Sequence, residues 1–328
     1  MYPTYGPFKP SNSLTVEVIP VVLAGLGVWS KKTWLPPLVQ LARWGLVDLS
    51  VIERWGSSKI PAKLRVLVQK GTLRYLAWGE DFEAGIAGGW RAAYVVTSAT
   101  SHRQVILRLL DEAPNLRIII CEKPCGENLE EALEIFAACN RRGVALVIAD
   151  HYLLRPAIQY LLAHPDLLPS VGTPTKIVAA LKESKVTGPQ QGVIADLLVH
   201  LLDLLLILFP GAHFEPVEAY TARALRSVAT AFETYTYAVG KLNLPNGKVV
   251  RCELEGGKHL GDDDKRITIT GTKGRLQIDL IKNTLSLSLK GEISKEVSLA
   301  WPAHWSYARL ILRSLLLSWP PAAPSHLM

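Results

Sequence analysis

The sequence predicts an α/β protein of two domains: a doubly wound parallel sheet over residues 1–150 and an α+β domain with an open, mainly antiparallel sheet over residues 151–328. In the first half, short runs rich in Val and Ile alternate with longer amphipathic stretches, which is typical of βαβ units. In the second half, apolar and polar residues alternate with a period of two, as in strands with one buried face. The length of 328 residues also fits two domains.

The first half contains six apolar runs that we predict to be parallel strands, at residues 21–24, 47–52, 73–76, 93–97, 118–121 and 145–148. Amphipathic helices are expected between them at residues 34–43, 102–112 and 128–140. Asn128 is a good helix cap, and Glu130 and Glu131 would face the positive end of the last helix. Each element therefore carries its own local signal.

The second half contains an apolar helix at residues 193–209, followed by predicted strands at residues 234–239, 266–270, 275–280 and 284–289. Turn sequences between the strands favour a meander. The apolar helix carries Asp196, His200 and Asp203, whose polarity disfavours a membrane span. We therefore predict a helix buried inside the second domain and no association with a membrane. A further apolar helix is expected within residues 301–328.

Composition limits the classes of function. The net charge is +7, but the basic residues are scattered among acids, which favours small anionic ligands over nucleic acid. The four cysteines show neither a CxxC pair nor histidines at zinc spacing, so we predict reduced thiols and no metal. Residues 1–13 lack the apolar segment of an export signal, and we predict a loose leader on a cytoplasmic protein.

A glycine-containing turn follows the first predicted strand. Gly25 and Gly27 flank Leu26, and Val28, Trp29 and Ser30 lead into a helix. Glycines at this position let the backbone approach a pyrophosphate, whose charge the helix N–H groups receive. The pattern favours a Rossmann-type site for a dinucleotide, and a plain tight turn is the alternative.

Glu53 and Arg54 end the second predicted strand. An acid at this place accepts hydrogen bonds from the adenosine ribose of NAD, whereas an arginine could hold the 2′-phosphate of NADP. Arg54 in a surface ion pair is an equal alternative. The sequence therefore leaves NAD and NADP both open as the cofactor.

Polar residues also follow the fourth and fifth predicted strands, at the sheet edge where ligands of such folds bind. Thr97, Ser98 and His102 follow the fourth strand, and Glu122 and Lys123 end the fifth. Lys123 could donate a proton or a hydrogen bond to a substrate oxygen during hydride transfer. An ordinary solvated lysine is the alternative.

Asp196, His200 and Asp203 recur at helical spacing, so we expect them along one stripe of the apolar helix. A carboxylate next to an imidazole selects its tautomer and prepares it for proton transfer. Asp196 and His200 are therefore candidate catalytic residues, and a structural buried hydrogen bond is the alternative.

Together these motifs resemble the glucose-fructose oxidoreductase, inositol dehydrogenase and rhizopine-catabolism (Gfo/Idh/MocA) family. The matching segments are residues 24–36, 96–102, 122–124 and 192–203. The resemblance implies that Lys123 lies beside the nicotinamide and the substrate, that Asp196 contacts the substrate, and that His200 is the acid or base. It also implies association into a homo-oligomer, a dimer or tetramer, through the open sheet.

The sequence departs from the family at two places. Ser98 stands where proline is usual, and residues 150–156 replace an Asn-x-Arg segment with other polar residues. His151 and Arg155 in that segment are candidates to bind an anionic group of the substrate, although Arg155 could instead brace the domain junction.

The sequence therefore predicts an NAD(P)-dependent oxidoreductase acting on a hydroxyl or carbonyl group of a sugar, cyclitol or related small molecule. The nicotinamide is expected to point into the cleft between the two domains. Two other functions remain open: a dinucleotide-binding regulatory protein without turnover, and a lyase or glycosidase that uses NAD transiently.

Overall fold

The structure is a computed structural model and describes residues 17–54, 60–78, 89–184, 192–223, 233–258, 261–291, 294–299 and 305–318. By their contacts these residues form two compact units. The first contains the described residues up to Cys121, Cys125–Val147 and the chain from Ile311, and the second contains Glu122–Pro124 and Ile148–Leu310. The two units are therefore not separated by a single boundary at residue 150. Glu122–Pro124 belong to the second unit, and the chain from Ile311 belongs to the first.

The first sheet has six strands, and all six coincide with predicted apolar runs. They are β1 (Ile19–Ala24), β2 (Val47–Glu53), β3 (Arg74–Ala77), β4 (Ala92–Val95), β5 (Ile118–Glu122) and β6 (Ala145–Ala149). Their spatial order is β3-β2-β1-β4-β5-β6. β1 pairs in parallel with β2 and with β4, so the strand order reverses beside β1 and brings the loops after β1 and β4 together. The predicted doubly wound parallel sheet is confirmed.

The described residues between these strands form the helices α1 (Val28–Thr33), α2 (Leu35–Arg43), α3 (Ala62–Gln69), α4 (Ala99–Glu112) and α5 (Leu129–Arg141). The predicted cap of α5 is present, because the backbone N–H of Glu131 donates to the Asn128 side chain at 2.9 Å. The sequence analysis did not predict α3, whose residues bury one leucine, Leu64. So small an apolar stripe gives a weak periodic signal.

The second unit begins with a 3-10 turn (His151–Leu154), α6 (Pro156–Ala163), α7 (Leu167–Ser170) and β7 (Pro174–Glu183). A π-helical turn (Ile194–Leu198) then continues directly into α8 (Val199–Leu208). The remaining strands are β8 (His213–Ala222), β9 (Tyr235–Asn243), β10 (Val249–Lys258), β11 (Asp264–Gly271), β12 (Gly274–Asp279), β13 (Thr284–Leu289) and β14 (Lys295–Ser298), and α9 (Trp305–Ser318) follows them.

The eight strands of the second sheet lie in the order β14-β13-β12-β11-β7-β10-β9-β8. β11 to β13 form a meander, as predicted, and β14 extends it. β8 to β10 form a second meander, of which only β9 was predicted. The prediction is wrong at the centre, where β7 lies between β11 and β10 and pairs in parallel with β10. β7 was not predicted because it carries apolar residues at its exposed position Val178 as well as at the buried positions Ile177 and Ala179, so it lacks the alternation that identified its neighbours.

The apolar helix covers one face of this sheet. Leu201, Leu204 and Leu205 of α8 are fully buried and belong to one core with Ile177 of β7 and Leu254 of β10. Within the described residues, none of the helices combines the length and the apolarity needed to cross a bilayer.

The carboxyl-terminal helix α9 explains why the chain from Ile311 belongs to the first unit. The hydroxyls of Tyr94 on β4 and Ser314 on α9 lie 2.9 Å apart, and both residues are buried. Burial raises the pKa of Tyr94, although the hydrogen bond with Ser314 opposes this effect. A buried phenol needs a hydrogen-bond partner, and α9 supplies one.

Candidate active site

The two glycines of the turn after β1 have different requirements. Gly25 has a φ of +99°, and a Cβ atom added there would fall 2.7 Å from the carbonyl oxygen of Val96. Gly27 caps α1 with a φ of −60°, and no atom lies within 4 Å of an added Cβ. Gly25 is therefore required by the fold, whereas Gly27 leaves open space beside the N–H groups that begin α1.

We expect Gly25→Ala and Gly27→Ala to separate folding from binding. Gly25→Ala combines a left-handed backbone with a backbone clash, so it should lower the free energy of unfolding by about 1–3 kcal/mol. Gly27→Ala should keep that stability but weaken NAD binding, because the methyl group enters the open space. Urea unfolding and fluorescence titration with NADH measure the two effects. Equal behaviour of the two variants in both assays would contradict this assignment.

The carboxylate of Glu53 lies against the glycine turn. One oxygen accepts a hydrogen bond from the Leu26 N–H, and the other lies 3.1 Å from the backbone nitrogen of Arg54. The acid at the end of β2 thus holds the turn and keeps further lone pairs for a ribose. Arg54 is exposed at the same strand end, and both cofactor choices remain open.

The residues that follow Gly27 divide between surface and core. Val28 and Trp29 are exposed, at 75% and 43% of their full surface. Ser30 is fully buried, which fits the role of a small residue at the contact between helix and sheet. Of the three, Val28 and Trp29 have surface available for a dinucleotide.

The loop after β4 carries a cluster of hydroxyls. The Ser98 hydroxyl lies 2.9 Å from those of both Thr100 and Ser101, and Ser98 is the first residue outside α4. His102 is 1% exposed, and its Nε2 lies 3.1 Å from the carbonyl oxygen of Thr97. This contact holds the Thr97 loop in place, and a role of His102 in cofactor binding stays a prediction.

Lys123 ends the fifth strand beside the buried Glu122 and belongs by its contacts to the second unit. Its Nζ donates a hydrogen bond of 2.8 Å to the carbonyl oxygen of Asp196 and also contacts the Asp196 carboxylate. The lysine is thus an ion-paired group and not a solvated surface residue. Two sequence motifs separated by more than seventy residues meet here.

Lys258, a residue that the sequence analysis missed, binds the other oxygen of the same carboxylate. Its Nζ lies 2.5 Å from Asp196 Oδ2, and its side chain is only 2% exposed. Gly256 allows the helical segment that carries Asp196 to pack closely against β10, because a Cβ atom at Gly256 would overlap the side chains of Val193 and Leu198. The Gly-Gly-Lys end of β10 was the available signal, since glycine inside a strand often marks a close approach.

Asp196 is held as an anion by these two ammonium groups. Burial raises the pKa of its carboxyl, but the positive charges of Lys123 and Lys258 and their hydrogen bonds exceed that effect, and the pKa lies well below its ordinary value. Asp196 is therefore ionised throughout the physiological range.

His200 has a carboxylate partner, but it is not Asp196, the residue that the sequence analysis placed beside it. Its Nδ1 lies 2.9 Å from Oδ1 of Asp150, and both side chains are almost fully buried, although the ring is not aligned for a hydrogen bond. The N–H of Tyr152 donates to the same Asp150 oxygen at 2.8 Å and fixes the carboxylate.

The π-helical turn Ile194–Leu198 accounts for this difference. The expected single stripe assumed 3.6 residues per turn, whereas a π turn is wider and changes the direction of the residues before it. Asp196 lies in the π turn and contacts the two lysines, while His200 lies in regular helix and contacts Asp150.

Asp203, one turn further along α8, is affected by the same cluster. Burial and then the negative charge of Asp150 raise the pKa of its carboxyl to about 6. Because this folded-state value exceeds the ordinary Asp value, the folded protein holds the proton more tightly than the unfolded chain. Stability is therefore lost as the pH rises from about 4 to about 6.

We expect Asp203→Asn to raise the midpoint temperature of unfolding at pH 7, because the variant no longer buries a charge. The advantage should shrink as the pH falls, and disappear below about pH 4, where the wild-type carboxyl is protonated in both states. Thermal unfolding of both proteins from pH 4 to pH 8 measures this difference. A midpoint difference that does not vary with pH would contradict it.

His151 and Tyr152 form an aromatic cluster around the imidazole of His200. The rings of His151 and Tyr152 lie 5.2 and 4.8 Å from the His200 ring, and His151 stacks on Tyr307 at 5.3 Å. Arg155 lies on the Tyr152 ring, with Cζ at 5.3 Å from the centroid. Of the two candidate substrate-binding residues, Arg155 is buried and His151 is half-buried.

The cluster is surrounded by positive charge. Burial lowers the pKa of His151 well below its ordinary value, and the charges of His200, Arg155, Lys265 and Lys123 lower it further. Asp150, His151 and His200 bring their ligand atoms within 4.8 Å of one another, a spacing that a metal ion could use. The neighbouring cations oppose a divalent metal, and the set suits proton transfer better.

The comparisons with known proteins agree with this fold. Residues 21–150 match a family described as an oxidoreductase family with an NAD-binding Rossmann fold. The class is therefore that of the NAD(P)-dependent oxidoreductases. Residues 180–277 match the GFO/IDH/MocA C-terminal domain, and the chain belongs to the Gfo/Idh/MocA family.

Individual relatives are distant. YceM of Salmonella typhimurium, which carries an oxidoreductase designation, is 25% identical over 60% of this chain and 58% of its own length. The chain thus spans less than two thirds of that relative. The 3-ketoreductase KijD10 of Actinomadura kijaniata, solved with NADP and TDP-benzene, has a TM-score of 0.69 at 20% identity, covering 93% of this chain and 92% of its own.

A third relative has a similar fold. The UDP-N-acetylglucosamine 3-dehydrogenase GnnA of Acidithiobacillus ferrooxidans has a TM-score of 0.67 at 20% identity, and the match covers 91% of this chain and 90% of GnnA.

Proposed function

We propose that this chain transfers hydride between a nicotinamide cofactor and a carbon that carries a hydroxyl or carbonyl group on a sugar, a cyclitol or a related molecule. Lys123, Asp196 and His200 act on the reacting oxygen. The observation that carries the proposal is the meeting of two sequence motifs in one cluster, in which Lys123 contacts Asp196 one helical turn before His200. Two proteins with a similar fold are named as a 3-ketoreductase and a UDP-N-acetylglucosamine 3-dehydrogenase.

Lys123 is the hydrogen-bond donor to the substrate oxygen in this proposal. An ammonium group stabilises the negative charge that develops on that oxygen as hydride moves. Asp196 accepts from Lys123 and Lys258, which fixes the position of the Lys123 ammonium. Lys258 acts through Asp196 and is a positioning residue.

His200 takes the hydroxyl proton in the oxidative direction and returns it in the reductive direction. Asp150 lies against its Nδ1 and favours the tautomer whose proton is on that nitrogen, leaving Nε2 free to accept a proton. Asp150 is itself held by the N–H of Tyr152. The negative charge of a fixed carboxylate therefore acts on the imidazole before any substrate binds.

The first unit provides a site that fits the dinucleotide. The open space at Gly27, the N–H groups that begin α1, and the Glu53 carboxylate are the features that a pyrophosphate and a ribose require. When bound, the nicotinamide ring supplies the acceptor or donor of hydride. Thr97 and Ser98 line the neighbouring loop. A cytoplasmic location and a homo-oligomer formed through the open sheet stay predictions.

A panel of sugars, cyclitols and their acids, assayed with NAD and NADP by reduced-nicotinamide absorbance, tests the proposal. We expect oxidation of at least one panel member with one of the two cofactors. Tight dinucleotide binding without turnover would instead support a regulatory protein. Release of a leaving group from a glycoside without net reduction would support a lyase or glycosidase, and either result would overturn the proposal.

A further inference from the structure

Arg155 is a buried cation whose charge has no counterion among the described residues. The residue is 8% exposed, its Nε has no hydrogen-bond partner, and none of the carboxylates in the described ranges pairs with its guanidinium. Its guanidinium lies over the face of the Tyr152 ring. Buried charges in proteins are normally paired, so this arrangement needs an explanation.

The other cations of the same cluster differ from Arg155 in this respect. Lys123 and Lys258 share the carboxylate of Asp196. Lys265 also lies over the Tyr152 ring, at 5.5 Å, but its Nζ lies 2.6 Å from Glu183 Oε1. The three lysines of this cluster are therefore paired with carboxylates of the protein, whereas Arg155 is available to pair with an anionic group of a bound molecule.

We propose that Arg155 receives an anionic group, a carboxylate or a phosphate, of the substrate that reacts at Lys123 and His200; the inference rests on the proposed function. The substrate class is then a sugar acid or a sugar phosphate rather than a neutral sugar. A guanidinium presents paired N–H donors that match either oxyanion. Tyr152 contacts both Arg155 and His200, so the anion would bind one aromatic ring away from the reacting oxygen.

The test measures equilibrium binding to the full chain saturated with NAD. The probes are D-glucuronate, D-glucose 6-phosphate and D-glucose, and the proteins are the wild type, Arg155→Met, Arg155→Lys and the control Arg251→Met. Arg251 is an exposed arginine of β10. Calorimetry gives the ratio of anion affinity to D-glucose affinity for each protein.

We expect one anion to bind the wild type at least about 10-fold more tightly than D-glucose, as for a charge-assisted pair. Arg155→Met should reduce that ratio about 10-fold, Arg155→Lys should reduce it less, and Arg251→Met should preserve it. The anion preferred by the wild type distinguishes a carboxylate from a phosphate. If Arg155→Met does not fold, two other measurements test the inference. They are the affinity ratio in Arg155→Lys and the competition of inorganic phosphate with the preferred anion for the wild type.

The inference is overturned if neither anion binds the wild type more tightly than D-glucose does. It is also overturned if the ratio of anion affinity to D-glucose affinity in Arg155→Met equals that of the wild type. Its failure is separable from that of the proposed function, because binding is measured without turnover. Anion binding that depends on Arg155 in a protein without dehydrogenase activity would retain the anion site at Arg155 and remove the proposed function.

Discussion

Lys123→Met and His200→Asn are each expected to lower kcat by about 10²- to 10⁴-fold, the range for loss of a general acid or base. Methionine preserves the length of Lys123 but removes the ammonium that would stabilise charge on the substrate oxygen. Asparagine cannot take or return the hydroxyl proton in place of His200. Both residues belong to the second unit, whereas the glycine turn belongs to the first, so the Kd of NAD should remain near the wild-type value.

The measurement is steady-state kinetics with the best substrate of the panel, alongside fluorescence titration of NADH. Lys176→Met is the matched control, because Lys176 is a half-exposed lysine of β7 that pairs with Glu253 on the sheet. Its kcat should be unchanged. A Lys123 or His200 variant that turns over as fast as this control would remove that residue from the mechanism.

Asp150→Asn has the second-largest expected effect, a loss of about 10²-fold in kcat with little change in KM. The amide keeps the size of the carboxylate and can still accept from the Tyr152 N–H. It removes the negative charge that favours one tautomer of His200 and stabilises the imidazolium formed during turnover. The loss should therefore appear in the chemical step and not in substrate binding.

Asp203→Asn is the control for this effect. Asp203 lies near the same pair, and its substitution removes a charge of the same sign. Among the described residues its carboxylate interacts with His200 through space, without the close Nδ1 contact that Asp150 makes. We expect a smaller change in kcat than for Asp150→Asn. Equal effects of the two variants would indicate that the local potential, and not the orientation of His200, controls the rate.

Much of the fold could be predicted from the sequence, because the residues that determine a strand, a helix or a helix cap lie close together in the chain. The six parallel strands and the cap of α5 could be located from runs of Val and Ile and from Asn128. The position of β7 could not, because a strand inserted between two meanders is determined by pairing across the whole sheet. The crossing of α9 to the first unit likewise depends on a contact between Tyr94 and Ser314, far apart in the chain.

The candidate site was predictable to the extent that its residues lie in recognisable motifs. Lys123, Asp196 and His200 fall in two such motifs, and the structure brings Lys123 and Asp196 into contact. Asp150 and Lys258 were not predictable as partners, because each contact depends on tertiary packing. The π-helical turn redirects Asp196, and Gly256 allows the helix to approach β10 closely enough for Lys258 to reach it.

The most direct measurement is a crystal structure of the full chain with its dinucleotide and the substrate that the panel identifies. We expect Lys123 Nζ and a ring nitrogen of His200 within about 3 Å of one substrate oxygen, whose carbon faces the nicotinamide. A complex in which the ammonium and the imidazole contact different groups, or in which either lies in a crevice away from the ligand, would contradict it.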